Sequence, residues 1–289
     1  MVTHHRAAAA LAAATAAVLL LAGCAGGGTQ ASYASAADPG QGPITIGADG
    51  SAESRVVAAL YARLLIAAGE QVRQAPAYAT AAQAANAVVD GRLALAPAYE
   101  TDLLRALPAA QEMPGNMAAT LSMALPVGID ALPAVPAQNG IVLAVGRTTA
   151  QRFSLHTLGD LAKVQRGFSL GGTATRDPDV PSATALAKAY GITVSTSGSA
   201  QLLALHSTDP TITKDNLVVL ADPKGIIPPE HVFPLISAEF ADKRTRTALA
   251  RLDSTLTTDQ LAALANAVNG DETPDQAAAT WLRAQDLIR

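Results

Sequence analysis

The sequence has little cysteine, few aromatic residues and no excess of positive charge. Cys24 is the only cysteine, so the chain can form no internal disulfide and no cysteine-based zinc site. Aromatic residues make up 3% of the 289 residues, too few for the stacking platforms that bind single-stranded nucleic acid. The net charge of −4 also argues against a nucleic-acid partner, because such proteins normally carry a basic patch. Alanine is abundant instead, with 65 residues, which predicts an interior built from small side chains.

The apolar segment near the N-terminus is too short to cross a membrane comfortably. Residues 7–20 contain a single polar residue, whereas a spanning helix needs about 20 apolar ones. Arg6 precedes this segment and Leu21-Ala22-Gly23-Cys24 follows it, an order typical of an export signal. The tetrapeptide resembles the bacterial lipobox, which implies cleavage after residue 23 and a diacylglycerol on the sulfur of Cys24. We therefore expect a signal peptide at 1–23 and a lipid anchor on the extracytoplasmic face of the cell membrane. An uncleaved anchor or a buried thiol is the alternative.

Residues 24–42 are mostly glycine, serine, alanine, threonine and glutamine. Such a segment buries too little apolar surface to offset the entropy lost on ordering. We predict a flexible tether that links the lipid to a folded body beginning near Pro43.

Strand patterns and helix patterns alternate along this body. The predicted strands lie at 44–47, near 72, and at 93–97, 124–129, 141–145, 168–170 and 217–220. The predicted helices lie at 51–69, 80–91, 157–164, 182–190, 238–252, 257–269 and 274–287. This alternation predicts an α/β fold with mainly parallel sheets. Ligands of such sheets bind beyond the carboxyl ends of the strands, which points to the loops after Gly47, Pro97, Leu132 and Leu170.

Recognisable catalytic motifs are missing from the sequence. It has no nucleophile elbow, no phosphate-binding loop and no paired histidines at metal-ligand spacing. Gly171-Gly172-Thr173 follows a predicted strand and could present N–H groups to an anion, although a plain turn is the more common role of such a sequence. His206 directly precedes Ser207-Thr208-Asp209, but neighbours in sequence rarely point at one centre. We expect no enzymatic activity, no metal and no cofactor.

Several stretches of the body follow one another in the order and spacing of a known family. They are Ile44-Thr45-Ile46-Gly47 with the helix after it, Leu95-Ala96-Pro97-Ala98-Tyr99, Ser207-Thr208-Asp209, and the run from Asn216 to Gly225 with Pro228-Pro229 behind it. In these stretches the chain resembles the osmoprotectant-binding proteins of ABC importers, the receptors for glycine betaine, carnitine, choline and proline betaine. The likeness covers roughly residues 43–289 and agrees with the lipobox.

The resemblance implies a two-lobed, type II periplasmic-binding-protein fold. Lobe 1 would combine residues 43–140 with 223–289, and lobe 2 would consist of 145–220, shorter than is usual in the family. Two chain crossings would form the hinge, and a small polar solute, such as a quaternary ammonium compound, would lie in the gap between the lobes. Closure around the solute then requires a higher affinity for the closed state. The partners implied are the permease subunits of an ABC importer in the membrane.

The sequence departs from the family where its members hold a quaternary ammonium group in a box of aromatic rings. Ala96 and Ala98 replace a Tyr and a Glu of the family's Leu-Tyr-Pro-Glu-Tyr segment, and Ile141 stands where a further Tyr aligns. The loss of several rings would weaken cation binding by orders of magnitude. A less cationic or bulkier polar solute, or a lobe that no longer binds any ligand, is then an alternative to a ligand of the quaternary-amine class.

Eight residues are the predicted ligand-binding positions on this resemblance: Tyr99, with Glu100 and Asp102 beside it, then Tyr78 and Thr80, and finally Asn139, Thr173 and Asp209. Two hypotheses remain open. The chain is either a solute receptor for an importer, or a degenerate binding fold that serves as a scaffold or as the partner of a sensor.

Overall fold

A computed structural model describes residues 42–107, 117–164 and 167–289 of the chain. The predicted signal peptide, the lipidation site Cys24 and the predicted tether as far as residue 41 lie outside the described residues.

Ten strands form two five-stranded sheets in the described part of the chain. The strands are β1 (Ile44–Ile46), β2 (Val72–Gln74), β3 (Leu95–Tyr99), β4 (Ile129–Ala131), β5 (Ile141–Gly146), β6 (Phe168–Gly171), β7 (Val194–Ser195), β8 (Leu202–His206), β9 (Leu217–Val219) and β10 (Val232–Ser237). One sheet has the order β2-β1-β3-β10-β4 and belongs to lobe 1; the other has the order β7-β6-β8-β5-β9 and belongs to lobe 2.

Helices surround both sheets. The α-helices are α1 (Ala52–Ala67), α2 (Ala81–Val89), α3 (Glu100–Ala106), α4 (Met117–Ala124), α5 (Arg147–Phe153), α6 (Ala183–Tyr190), α7 (Thr211–Lys214), α8 (Lys243–Leu249), α9 (Thr258–Asn269) and α10 (Pro274–Ala284). Short 3-10 helices lie at Leu158–Lys163, Ala238–Phe240 and Ala250–Leu252. Within the described ranges, no helix is both long and apolar enough to pass through a bilayer.

Two crossings join the lobes, as the two-lobed prediction requires. The chain leaves lobe 1 after β4, passes along residues 132–140 and enters lobe 2 at β5. It returns from β9 along residues 220–231 and enters lobe 1 at β10. The two crossings touch each other, because Gln138 and His231 form an antiparallel bridge. The prediction of two α/β lobes with a double connection is thus confirmed.

The expectation of mainly parallel sheets is wrong. The strand that follows each crossing enters its new sheet in the opposite direction: β10 is antiparallel to β3 and β4, and β5 is antiparallel to β8 and β9. The remaining neighbours, β1 with β2 and β3, and β6 with β7 and β8, are parallel. Each sheet is therefore mixed, which is common for large sheets.

The strand predicted over residues 124–129 is also wrong. Helix α4 occupies Met117–Ala124, and a turn through Pro126 and Gly128 leads to β4 at Ile129. Gly128 has a φ of 91°, a left-handed conformation that suits glycine. The short apolar run was ambiguous because periodicity alone does not separate a buried helix end from a strand.

Helix α1 forms the centre of the lobe 1 core. Its side chains Val56, Leu60 and Leu65 are fully buried, and the helix packs against α9 and α10. Both of these C-terminal helices begin with capping boxes, in which Thr257 pairs with Gln260 and Thr273 with Gln276. The rigid lobe that results holds the N-terminus of α1 at the edge of the sheet that faces lobe 2.

Candidate functional site: the cleft between the lobes

A cavity of about 270 Å³ lies between the two lobes. Its lining comes from loops at the ends of β1 and β3, from both crossings, and from the lobe 2 loops around β6 and β8. The lining residues are Asp49, Ser51, Glu53, Thr80, Ala81, Tyr99, Asp102, Arg105, Asn139, Gly140, Ile141, Asp177, Asp179, His206 and Glu230. A site composed in this way changes shape when the lobes move relative to each other.

The start of α1 forms one part of the lobe 1 wall. Ser51 caps the helix by accepting a hydrogen bond from the N–H of Ser54 at 3.2 Å. The carboxylate of Asp49 accepts the N–H of Ser51 at 2.7 Å, and Glu53 lies in the first turn. The positive end of the helix dipole stabilises negative charge at this position, so both carboxylates fit the local field.

Tyr99 forms the floor beside this wall. It is the last residue of β3, its side chain is 5% exposed, and its hydroxyl has no hydrogen-bond partner among the described residues. Burial, together with the nearby carboxylates of Glu53 and Asp49, raises the pKa of Tyr99 well above its ordinary value. An unpaired buried hydroxyl costs stability, so a hydrogen bond between this atom and a ligand would be favourable.

Glu230 holds the second crossing to the start of α3. Its carboxylate accepts the N–H groups of Thr101 at 2.8 Å and Asp102 at 2.9 Å, and it also accepts the hydroxyl of Thr101. Burial raises the pKa of Glu230 to about 7, although these hydrogen bonds favour its ionised form. The end of the crossing and the first turn of α3 therefore move as one unit.

Arg105 connects the two lobes across the cleft. One nitrogen of its guanidinium lies 2.6 Å from Asp102 in the same helix, and another lies 2.7 Å from Asp179 in the lobe 2 loop after β6. The hydroxyl of Thr101 is also within hydrogen-bonding distance of Asp179, at 3.0 Å. Removal of Arg105 would leave Asp102 and Asp179 facing each other without an intervening cation.

Asn139 connects the first crossing to both lobes. Its amide group donates to Glu53 of lobe 1 at 2.9 Å, and its carbonyl oxygen accepts the hydroxyl of Thr208 of lobe 2 at 2.6 Å. Its main-chain carbonyl lies 3.1 Å from Nδ1 of His206. The side chain thus orients Glu53 while it supports the hinge.

Four of the predicted ligand-binding residues lie together in the cleft lining: Thr80, Tyr99, Asp102 and Asn139. Of these, Thr80 also caps α2 by accepting the N–H of Gln83. The remaining three surround the start of α3 and the first crossing.

The other four predicted residues have different neighbours in the structure. Glu100 is buried and pairs with Nδ1 of His231 at 3.0 Å. The ring of Tyr78 faces the guanidinium of Arg92, 5.8 Å from the ring centre. Thr173 donates its hydroxyl to Asp209 at 2.7 Å. All four are absent from the cleft lining within the described part of the chain.

The Gly171-Gly172-Thr173 sequence has a packing explanation. Gly172 has a φ of 108°, and a Cβ atom there would lie 2.3 Å from the carbonyl oxygen of Ala204. The two adjacent strands can approach each other only because the residue is glycine. The turn interpretation therefore accounts for this motif without an anion.

The sequence-based site omitted most of the charge in the cleft. Asp49, Glu53, Arg105, Asp177, Asp179, His206 and Glu230 all line it. Several of these residues were detectable in principle, because they follow strands whose end loops the sequence analysis named. Asp49 follows β1, Arg105 lies in the helix after β3, and Asp177 and Asp179 follow β6. Glu230 had no such signal, since the strand after it was not predicted.

The cluster of carboxylates does not form a metal centre. Among the residues described by the structure, no group of three or more His, Cys, Asp or Glu side chains is arranged to hold a metal ion. Arg105 contacts two of the carboxylates, and Asp177 lies 3.7 Å from Nε2 of His206. The arrangement can bind a cation through hydrogen bonds and charge.

Solved structures with the same architecture come from solute-binding proteins. A glycine betaine/carnitine/choline ABC transporter structure is 20% identical, with a TM-score of 0.73 over 84% of this chain and 99% of that one. Apo YehZ from Escherichia coli is 16% identical, with a TM-score of 0.70 over 86% of this chain and 100% of the other. Lactococcal OpuAC in its closed-liganded conformation with glycine betaine is 14% identical, with a TM-score of 0.53 over 85% and 97%. At these identities the likeness establishes the fold, the type II periplasmic-binding-protein architecture.

The family is established by the sequence itself. The model of the substrate-binding domain of ABC-type glycine betaine transport systems matches residues 42–284, which is most of the chain and includes both lobes and both crossings. The resemblance inferred from the short stretches of sequence is thereby confirmed. The chain belongs to the family of substrate-binding domains of ABC-type glycine betaine transport systems.

Proposed function

We propose that the chain is a lipid-anchored receptor that captures a small polar solute outside the cytoplasm and delivers it to the permease subunits of an ABC importer. The observation that carries the proposal is the composition of the cleft, which takes polar side chains from both lobes and both crossings. The family assignment and the lipobox at residues 21–24 support the same role.

Contacts between the lobes provide a way for a ligand to close the cleft. A ligand that touches both walls binds the closed form better than the open form, and so shifts the population toward closure. Arg105 with Asp179, and Asn139 with Glu53 and Thr208, are the contacts available to hold the lobes together around it. The closed form is the one that we propose docks on the permease.

The ligand of this cleft differs from the quaternary amines held by aromatic boxes. Tyr99 is the one aromatic side chain among the described residues that line the cleft. Ala96 and Ala98, at positions where family members carry a Tyr and a Glu, are buried in β3 and absent from the described cleft lining. Ile141, at the position of another expected ring, does line it. Each missing ring removes about 0.5–2 kcal/mol of cation–π attraction.

The first prediction is that small polar solutes raise the melting temperature of the full-length protein. A ligand at 100 times its dissociation constant should add about 2.7 kcal/mol of stability. The measurement is a thermal-shift screen with glycine betaine, choline, carnitine, proline betaine, small amines and larger polar solutes. If none of these compounds shifts the transition, the receptor role is wrong and a scaffold or sensor-partner role takes its place.

The second prediction concerns Cys24. Replacement by alanine should remove the lipid and release the protein from the membrane fraction, because the thiol is the only sulfur available for the diacylglycerol at the lipobox. Mass spectrometry of the N-terminal peptide and membrane fractionation are the measurements. An Ala25→Ser variant, one residue beyond the proposed site, is the matched control and should remain lipid-modified. Unaltered membrane retention of Cys24→Ala would contradict the anchor.

A further inference from the structure

The cleft has a large excess of negative charge. Six carboxylates line it, from Asp49, Glu53, Asp102, Asp177, Asp179 and Glu230, against one guanidinium and one imidazole. Arg105 is shared between Asp102 and Asp179, and His206 has Asp177 as its acidic neighbour. Asp49 and Glu53 receive hydrogen bonds from neutral donors, the N–H of Ser51 and the amide of Asn139. These two carboxylates are not compensated by any cationic contact that the structure describes.

A second observation points to a ligand at the same place. Tyr99 is part of this lining and is 95% buried, and its hydroxyl, which is buried as well, has no hydrogen-bond partner among the described residues. Polar groups that are buried to this degree are normally paired. The carboxylates of Asp49 and Glu53 are close enough to this hydroxyl to affect its ionisation. Together the three side chains offer several hydrogen-bond acceptors to one donor-rich group.

This chemistry selects between kinds of cation. A quaternary ammonium group has no N–H to donate, and it is best held by aromatic faces, of which the described lining has one. A primary ammonium group carries three N–H donors and suits carboxylates and a hydroxyl. A betaine also brings a carboxylate, which would be repelled by the acidic lining, and the two basic side chains of that lining already face carboxylates.

The distribution of charge indicates how many ammonium groups the cleft accepts. Asp49, Glu53 and Tyr99 lie on the lobe 1 wall, and Asp177 lies on the lobe 2 wall. A ligand with an ammonium group at each end would contact acidic groups on both walls, and it would therefore bind the closed form better than a single charge does. From this arrangement we infer that the cleft binds a small aliphatic diamine in preference to a quaternary amine. The inference rests on the proposed receptor function and names its ligand class.

Calorimetry on the full-length protein in detergent tests the inference. The probes are 1,3-diaminopropane, 1,4-diaminobutane and 1,5-diaminopentane, compared with butylamine, choline and glycine betaine. At least one diamine should bind at least about tenfold more tightly than butylamine, choline and glycine betaine, since the second charge interacts with a poorly solvated acidic wall. Any smaller preference overturns the diamine assignment, and the receptor role survives if choline or glycine betaine binds instead. If no compound of the wider solute screen binds either, the receptor role fails as well.

Variants test the location of the site. Glu53→Gln keeps an oxygen to accept the amide of Asn139 but removes the charge, and we expect it to weaken diamine binding about tenfold or more. Glu272→Gln, an exposed carboxylate after α9, is the control and should leave the affinity unchanged. Asp49→Asn provides a second variant in case Glu53→Gln alters the fold. Unchanged diamine affinity in a folded variant of either residue would overturn the inference.

Discussion

Tyr99→Phe should stabilise the unliganded protein and, at the same time, weaken ligand binding. The hydroxyl of Tyr99 is buried and has no partner in the described part of the chain, and an unsatisfied buried polar group costs about 1–3 kcal/mol. Its removal should raise the melting temperature by about 2–4 °C for each kcal/mol recovered. A hydrogen bond that this hydroxyl accepts from an ammonium group of the ligand is worth about 1.5–3 kcal/mol, so affinity should fall at least about tenfold without it. Thermal unfolding and calorimetry measure the two effects on the same sample.

Tyr61 provides a matched control for this experiment. Its hydroxyl is also buried without a partner among the described residues, and it belongs to the same lobe 1 core as Tyr99, but it is absent from the described cleft lining. Tyr61→Phe should therefore stabilise the protein in the same way and leave affinity unchanged. Tyr99→Ala, which also removes the ring, should eliminate any ligand-induced shift. If Tyr99→Phe binds as tightly as the unmodified protein, the hydroxyl does not contact the ligand.

Strands β1, β3, β5, β6 and β9 were predictable from the sequence, whereas β8 and β10, each an inner strand of its sheet, were not. Strands β1, β3 and β6 appear as short apolar runs followed by helices, the pattern of βαβ units. Strand β10 begins just after Pro228-Pro229 and contains Pro234, and proline within a run argues against a central strand. In the structure Pro234 pairs with Pro97 of β3, and its carbonyl accepts the N–H of Leu132 just beyond β4. That the two prolines face each other is visible only once the register is known.

The candidate site likewise contains residues that the sequence could locate and residues that it could not. Tyr99 and Asp102 could be located because they follow a strand in a segment that resembles the family. Thr173 and Asp209 were predicted separately as ligand-binding residues, and only the fold shows that they hydrogen-bond to each other. Glu230 and Asp179 are distant in sequence from α3, and their contacts with Thr101 and Arg105 depend on how the lobes come together. Sequence spacing carries no information on that approach.

One of the segments that resemble the family serves the fold more than the ligand. Asp222, within the run from Asn216 to Gly225, accepts the hydroxyl of Tyr190 and the N–H of Ile227. Lys224 donates its N–H to the same hydroxyl, and its ammonium group lies 5.2 Å from the centre of the Tyr190 ring. These contacts anchor the start of the second crossing to α6, so this part of the motif is explained by the hinge.

Stability should decrease as the pH rises from about 4.5 to 7, through the titration of Glu230. Burial raises its pKa from 4.5 to about 7, so the folded state binds a proton in this range that the unfolded state has lost. The favourable contribution of Glu230 to the free energy of unfolding is complete below its pKa in the unfolded state. It is lost as the pH rises through its pKa in the folded state. Its full size is roughly 3 kcal/mol, at 1.36 kcal/mol for each pKa unit. The measurement is the free energy of unfolding from denaturant titrations at pH 5 and pH 8.

Glu230→Gln isolates this group from the others that titrate nearby. The variant is neutral at every pH, so its stability relative to the unmodified protein should improve between pH 5 and pH 8 by up to that amount. His231, whose pKa is raised by its hydrogen bond to Glu100, changes stability in the same direction but is present in both proteins. Glu272→Gln should show no such trend, because its side chain is exposed. A stability difference that is constant with pH would show that Glu230 is already ionised in the folded protein at pH 5.

The affinity for a cationic ligand should rise over the pH range in which Glu230 loses its proton, whereas the stability of the unliganded protein falls. The ionised form of Glu230 adds a negative charge to the cleft, so a cationic ligand favours loss of the proton and its affinity should rise between pH 5 and pH 8. Stability of the unliganded protein falls over the same interval, and a general loss of structure at high pH cannot produce both trends. Calorimetry in two buffers of different ionisation enthalpy should detect proton release on binding near pH 6. In Glu230→Gln this release should decrease and the rise in affinity should become smaller, whereas identical release in both proteins would assign the proton to another group.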